Sequence, residues 1–129
     1  MEKKWSISWK SSKQKRKQRK YRYNAPLHIK QKFIHALLSK QLRKELGTRS
    51  FGLRKGDEVK IMRGNLKGKT AKIARISVKK SKVWLEGVKR KKSTGEEVLI
   101  PFQPSNLMII SLTKEDKKRQ KIKERKIKK

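Results

Sequence analysis

From Gly56 onward the apolar residues fall on alternate positions, in bursts too short for helices and broken by turn-forming residues. This change of period constrains the fold more than any other feature of the chain. Val59 and Ile61 alternate with Glu58, Lys60 and Met62. Ala71 and Ile73 flank Lys72, and Ile76 and Val78 then continue in the other parity, which places a bulge near Ala74 or Arg75. Val83 with Leu85, then Val98, Ile100 and Phe102, and finally Leu107 through Ile110 complete the set. The separators are residues 64–68, 79–82, 89–96 and 104–106. About five short strands joined by tight loops, with no helix between them, describe a small antiparallel barrel in a mainly β protein. We assign it to residues 48–112.

The segment before it, residues 26–47, follows a helical period. Pro26 marks a start, Phe33, Ile34, Leu37, Leu38, Leu42 and Leu46 recur at three- and four-residue steps, and Gly47 is a stop. The expectation is one amphipathic helix, with Ser39 placed to break it and cap a second piece. Its other side carries Lys30, Lys32, Lys40, Arg43 and Lys44.

The two ends are cationic arms, residues 1–25 and 113–129. The chain holds 41 Lys and Arg against 10 Asp and Glu, a formal charge of +31, with 33% hydrophobic residues. Such a balance repels itself and calls for a polyanion, nucleic acid or an acidic membrane surface, while small uncharged substrates gain nothing from it. Up to Asn24 the N-terminal arm has Ile7 as its one aliphatic residue, so burial cannot offset its ordering and it should stay extended until phosphates neutralise it. Trp5, Trp9, Tyr21 and Tyr23 punctuate it, and rings among cations suit RNA, where a base can stack while Arg and Lys take the phosphates. For Trp5 and Trp9, rings that merely touch the protein fit equally well. In the C-terminal arm Thr113 could cap a helix whose first turn holds Glu115 and Asp116, but so few apolar residues follow that a frayed tail is expected off its partner.

With no Cys there is no disulfide or zinc-ribbon framework, and two histidines do not build a structural metal centre. The chain has no apolar run of about 18 residues and its N-terminus lacks a hydrophobic signal core, so the reading is a soluble, intracellular protein without membrane insertion. His28 and His35 lie about two helical turns apart, too distant to share a metal easily, and no Ser-His-Asp arrangement is evident. We therefore expect no enzyme, no cofactor and no metal.

The stretch over residues 55–69 carries the sharpest signal. Gly64 and Gly68 flank a hairpin loop, where positive φ and close backbone approach can bring N–H groups to phosphates while Arg63, Lys67 and Lys69 supply charge. It is not a Walker-type loop, since no Gly-Lys-Ser/Thr precedes a helix. Spacing alone slightly favours an ordinary glycine hairpin. The segment nonetheless resembles the KOW motif in Gly56-Asp57, Val59, Ile61, Gly64, Lys67-Gly68 and Ile73. The flanks extend the likeness: the basic run 13–20, Tyr23-Asn24-Ala25-Pro26-Leu27-His28, Leu38-Ser39-Lys40-Gln41-Leu42-Arg43, Leu85-Glu86-Gly87-Val88 and Pro104-Ser105-Asn106-Leu107-Met108-Ile109. Together they resemble the family of large-subunit ribosomal protein twenty-four, called twenty-six in eukaryotes, over residues 12–119, with residues 101–110 closer to archaeal members. Ala71 departs from the KOW pattern, which usually has glycine there, and puts the hairpin geometry in question.

The resemblance implies an SH3-like barrel and a structural role in the large ribosomal subunit, in the cytoplasm. It implies binding of the large ribosomal RNA in its 5′ region, early in assembly and close to the nascent-chain exit, beside neighbouring large-subunit proteins. The candidate RNA contacts are Lys13, Lys15, Arg16, Lys17, Arg19, Lys20, Arg22, Asn24, His28 and Lys32 in the N-terminal half, then Arg54, Lys55, Arg63, Gly64, Asn65, Lys67, Gly68 and Lys69 around the motif. Arg90, Lys91, Lys92, Ser105 and Asn106 complete them. The competing reading is a KOW-bearing transcription elongation factor, but the region before Gly56 is too small for the α/β domain such factors resemble.

Overall fold

The alternating stretches become strands in the computed structural model, which describes residues 4–113 and 116–128. Met1, Glu2, Lys3, Lys114, Glu115 and Lys129, which the arms include, lie outside the described residues. Seven strands form one sheet: β1 (His35–Leu38), β2 (Ser50–Gly52), β3 (Glu58–Ile61), β4 (Thr70–Ser77), β5 (Lys82–Lys91), β6 (Glu97–Phe102) and β7 (Leu107–Ser111), ordered β2-β1-β7-β3-β4-β5-β6. The sheet curls around Val59, Ile61, Ile73, Val83, Leu85, Leu107 and Ile109, all with no exposed surface. Each such side chain contributes about 1.5–3 kcal/mol of burial, which is how a chain this polar holds a core. The mainly β fold is as expected, and the register of β4 on β5 does shift between Ile73 and Arg75. Ala71 sits in β4 opposite Val59, and the one non-glycine residue with positive φ among those described is Ser81, so alanine costs nothing at that site.

Several expectations are corrected. The continuous helix over residues 26–47 does not form. Helix α2 (Leu27–Phe33) ends, the chain runs extended through β1, and α3 (Lys40–Leu46) follows, with the Ser39 Oγ accepting from the Leu42 N–H at 3.4 Å and Gly47 closing it at φ 61°. Ala36 and Leu38 point into the core from β1, which pairs antiparallel with β2 and parallel with β7, so the sheet is mixed, and its outer strands β2 and β6 do not close it into a barrel.

The N-terminal arm is not extended. A 3₁₀ turn at Ile7–Ser11 precedes helix α1 (Lys15–Asn24), and Tyr21, Ala25 and Ile29 bury against Trp5, Trp9 and Phe33 in a second small core. The Trp5 ring stacks on Tyr21 at 5.5 Å and its Nε1 donates to the Tyr21 carbonyl at 3.1 Å. Gln18 Nε2 donates to the carbonyls of Trp9, Lys10 and Ser12, fixing the turn to the helix. Trp5 and Trp9 thus serve packing.

The tail also folds: α4 (Lys117–Ile127) is capped by Asp116 rather than Thr113, its carboxylate accepting from the N–H groups of Lys118 and Arg119. Thr113 instead turns to Asp57, and Arg119 anchors the helix to the sheet by reaching the same carboxylate.

Candidate nucleic-acid interface

Helix α1 is fixed on one side by Tyr21 and Gln18, so Arg19 and Arg22, three positions apart, present their charges together on another. They face an open groove of about 770 Å³ between α1, α2 and the turn from β4 to β5. Lys30 from α2, Lys79 and Lys80 from the turn and Lys82 at the start of β5 complete a ring of cations, and none of the described residues lining the groove is Asp or Glu. Phe33 and Pro104 give it apolar wall, Gln103 and Ser105 polar groups, and Tyr23 an aromatic face. The Lys30 ammonium ties the two sides, donating to the Tyr23 carbonyl at 2.8 Å and the Lys79 carbonyl at 3.4 Å, neutral partners that leave its charge uncompensated.

A second hollow of about 390 Å³ takes in His28 and Lys32 of α2, Arg54, and from α4 Arg119 and Lys126. His35 lines it too, its imidazole pKa lowered by burial and by the Lys126 ammonium, both of which favour the neutral ring among these cations. The Arg54 side chain pairs with Asp116 across 3.1 Å. The Asp116 carboxyl is held below its usual range: burial opposes ionisation, but the N–H groups of Arg119 and Lys118 and the charges of Arg54 and Arg119 outweigh it.

The sequence candidates therefore gather in several places rather than one. Arg19, Arg22 and Ser105 meet in the groove, and His28, Lys32 and Arg54 in the hollow. Arg63, Gly64, Asn65, Lys67, Gly68 and Lys69 form the exposed tip between β3 and β4, closed by bonds from Lys67 N–H to Gly64 carbonyl at 3.1 Å and from Gly68 N–H to Ile61 carbonyl at 2.8 Å. Gly64 and Gly68 have φ of 90° and 92° with open space where a Cβ would stand. The Gly68 N–H is spent on the hairpin, so what it offers a partner is that open face. Arg90, Lys91 and Lys92 lie at the far end of the β5–β6 hairpin, where Lys92 pairs with Glu96 at 3.3 Å. Lys13, Lys15, Arg16 and Lys17 are exposed on or just before α1, Lys20 lies over the Trp9 ring at 5.5 Å, and Lys55 is exposed in the turn before β3. Asn24 has a structural task, its Nδ2 donating to the Lys4 carbonyl at 2.9 Å, as has Asn106, whose carbonyl accepts from the Met62 N–H at 2.8 Å.

Lys79, Lys80 and Lys82 are not among the sequence candidates, because 79–82 reads simply as a strand separator, although a basic run between two strands is the available signal. Among the described residues no group of three His, Asp or Glu is placed to hold a metal, and no helix is long and apolar enough to cross a membrane. The arrangement can bind polyanions and pack on them.

Comparison with known proteins points the same way. The family model for ribosomal proteins L26 of eukaryotes and L24 of archaea matches residues 12–126. A large ribosomal subunit protein uL24 from Methanothrix thermoacetophila is 47% identical over 111 residues, covering 86% of this chain and 96% of the relative. The protein of the same name from Methanosarcina barkeri is 50% identical over 108 residues, 84% of this chain and 93% of the relative.

Proposed function

This chain belongs to the family of ribosomal proteins L26 of eukaryotes and L24 of archaea, is of the archaeal type, and from that premise we propose that it is a non-catalytic structural constituent of the large ribosomal subunit that binds large-subunit rRNA. The observation that carries the RNA-binding part is the groove in which Arg19, Arg22, Lys30, Lys79, Lys80 and Lys82 converge without an acid. Like charges gathered in this way repel one another, and phosphates remove the repulsion and release counterions. The contacts on this reading are the candidates named from the sequence, enlarged by the four lysines of the groove. The cationic ends, residues 1–25 and 113–129, extend the contact beyond the sheet. Placement in the 5′ region of the RNA, early entry into assembly and a position near the nascent-chain exit form the finer part of the proposal and rest on family resemblance.

Sedimentation of the tagged chain in a gradient tests it. The chain should travel with the large subunit, remain there in moderate salt and crosslink to large-subunit rRNA through α1 and the β3–β4 tip. Sedimentation with RNA polymerase instead would favour the elongation-factor reading and overturn this one.

A further inference from the structure

We propose that the groove between α1, α2 and the β4–β5 turn holds a short run of unpaired RNA, one base lying on the Tyr23 ring and its flanking phosphates on the surrounding cations. The inference rests on the RNA-binding reading above and goes beyond it in naming the form of RNA and the residue that selects it.

Tyr23 is 81% exposed, whereas Tyr21 on the same helix is 7% exposed. The difference is enforced. Tyr21 stacks on Trp5 and Gln18 is bonded to three carbonyls of the preceding turn, so α1 cannot roll to bury Tyr23 without breaking that packing. The backbone beneath the ring is held as well, since the Tyr23 carbonyl accepts from Lys30. A large aromatic face is thus kept in water on a fixed support at the edge of a groove lined by cations and no acid.

The two features together select a ligand. Cations alone would take any polyanion, duplex included. A ring adds affinity only where a base offers its face, and in a duplex the faces are already stacked on neighbouring pairs. An unpaired segment offers both phosphates and faces. The volume of about 770 Å³ lies in the range of about 300–1,000 Å³ typical of sites for small organic groups, so it suits nucleotide-sized units rather than the body of a helix. Gln103 and Ser105 bring an amide and a hydroxyl to the wall, groups able to hydrogen-bond a base edge that pairing has left open.

The test uses the full chain and two labelled RNAs carrying similar numbers of phosphates, an unstructured pyrimidine oligomer and a hairpin duplex, with anisotropy as the readout. The unaltered chain should bind the oligomer with a salt-dependent affinity. Tyr23→Ala should weaken oligomer binding by about tenfold or more, as loss of a base–aromatic stack does, and leave duplex binding and the circular dichroism spectrum unchanged. Tyr23→Phe should restore most of the loss, since the ring and not the hydroxyl carries the contact. Lys79→Gln with Lys80→Gln should lower the log–log salt slope for the oligomer by about 0.7 for each charge removed. If Tyr23→Ala binds the oligomer as the unaltered chain does, or loses oligomer and duplex equally, the stacking site is overturned while the RNA-binding reading stands. If the unaltered chain binds neither RNA in a salt-dependent way, both fall.

Discussion

Asp57 has no exposed surface, and a bare carboxylate there would cost several kcal/mol, so its environment has to repay the lost water. It does so with five hydrogen bonds. One oxygen accepts from the Thr113 N–H and hydroxyl, each at 3.0 Å, and from Arg119 Nη1 at 2.7 Å. The other accepts from the Arg54 N–H at 2.8 Å and from Arg119 Nη2, which also donates to the Gly52 carbonyl. One carboxylate thereby gathers the loop before β3, the chain just after β7 and helix α4, while the guanidinium lies 5.5 Å from the centre of the Phe51 ring. Arg119→Ala would strand the charge and should cost about 3–5 kcal/mol of stability in a urea titration. Thr113→Val removes one hydroxyl and should cost about 1 kcal/mol. Asp57→Leu combined with Arg119→Met should recover most of the Arg119→Ala loss, because no charge is left unpaired. A loss below about 1 kcal/mol for Arg119→Ala would show that α4 is only loosely held on the sheet. Asp57 was legible as half of a Gly-Asp pair, but its partner lies 62 residues away, and no local pattern in a chain crowded with arginines singles out Arg119.

Elements were legible where only one period fitted. Val59 and Ile61, flanked by Glu58, Lys60 and Met62, admit a strand and nothing else, and they form β3. Phe33, Ile34, Ala36, Leu37 and Leu38 are dense enough to satisfy a helix or a strand, and what decides is the backbone of β7, where Leu37 pairs with Met108 and Leu38 with Ile109. That partner lies far along the chain, beyond the reach of periodicity. Helix α1 hid for a different reason: its aliphatic content is nil, and it is ordered by aromatic rings drawn from three segments, Trp5 and Trp9, Tyr21, and Phe33. If those rings are what holds α1, it should open as a unit separate from the sheet. Trp5→Ala removes the stack and the bond to the Tyr21 carbonyl. In hydrogen exchange it should strip protection from the amides of α1 while those of β5, backed by Val83 and Leu85, keep theirs. Equal loss in both elements would mean that the chain opens as a single unit, and no loss in α1 would mean that Trp5 does not hold it.

At the scale of the whole molecule, a charge of +31 cannot be balanced internally, and the ion pairs on the surface, such as Lys89 with Glu97 and Lys92 with Glu96, contribute little. The charge is instead spread over separate carriers: α1, the groove, the hollow beside α4 and two hairpin tips. Such a distribution suits a partner that surrounds the protein more than one that meets a single face, and it explains why the sequence candidates do not collect into one site. It also makes affinity a sum of many small, screened terms. Contacts with about ten phosphates give a log–log salt slope of roughly −7 to −9 for large-subunit RNA. Lys15, Arg16, Arg19 and Arg22 are exposed on α1, away from the packing of Tyr21, so replacing all four with Ala should leave the fold intact. The same replacement should weaken binding to every RNA tested and shrink the slope by about 0.7–0.9 for each phosphate that is no longer neutralised. Titration of RNA binding across a salt series, on both chains, reads the two slopes directly. An unchanged slope would make α1 a bystander and leave the sheet and its hairpins to carry the binding, whereas a near-flat slope in the unaltered chain would contradict binding through phosphates at all.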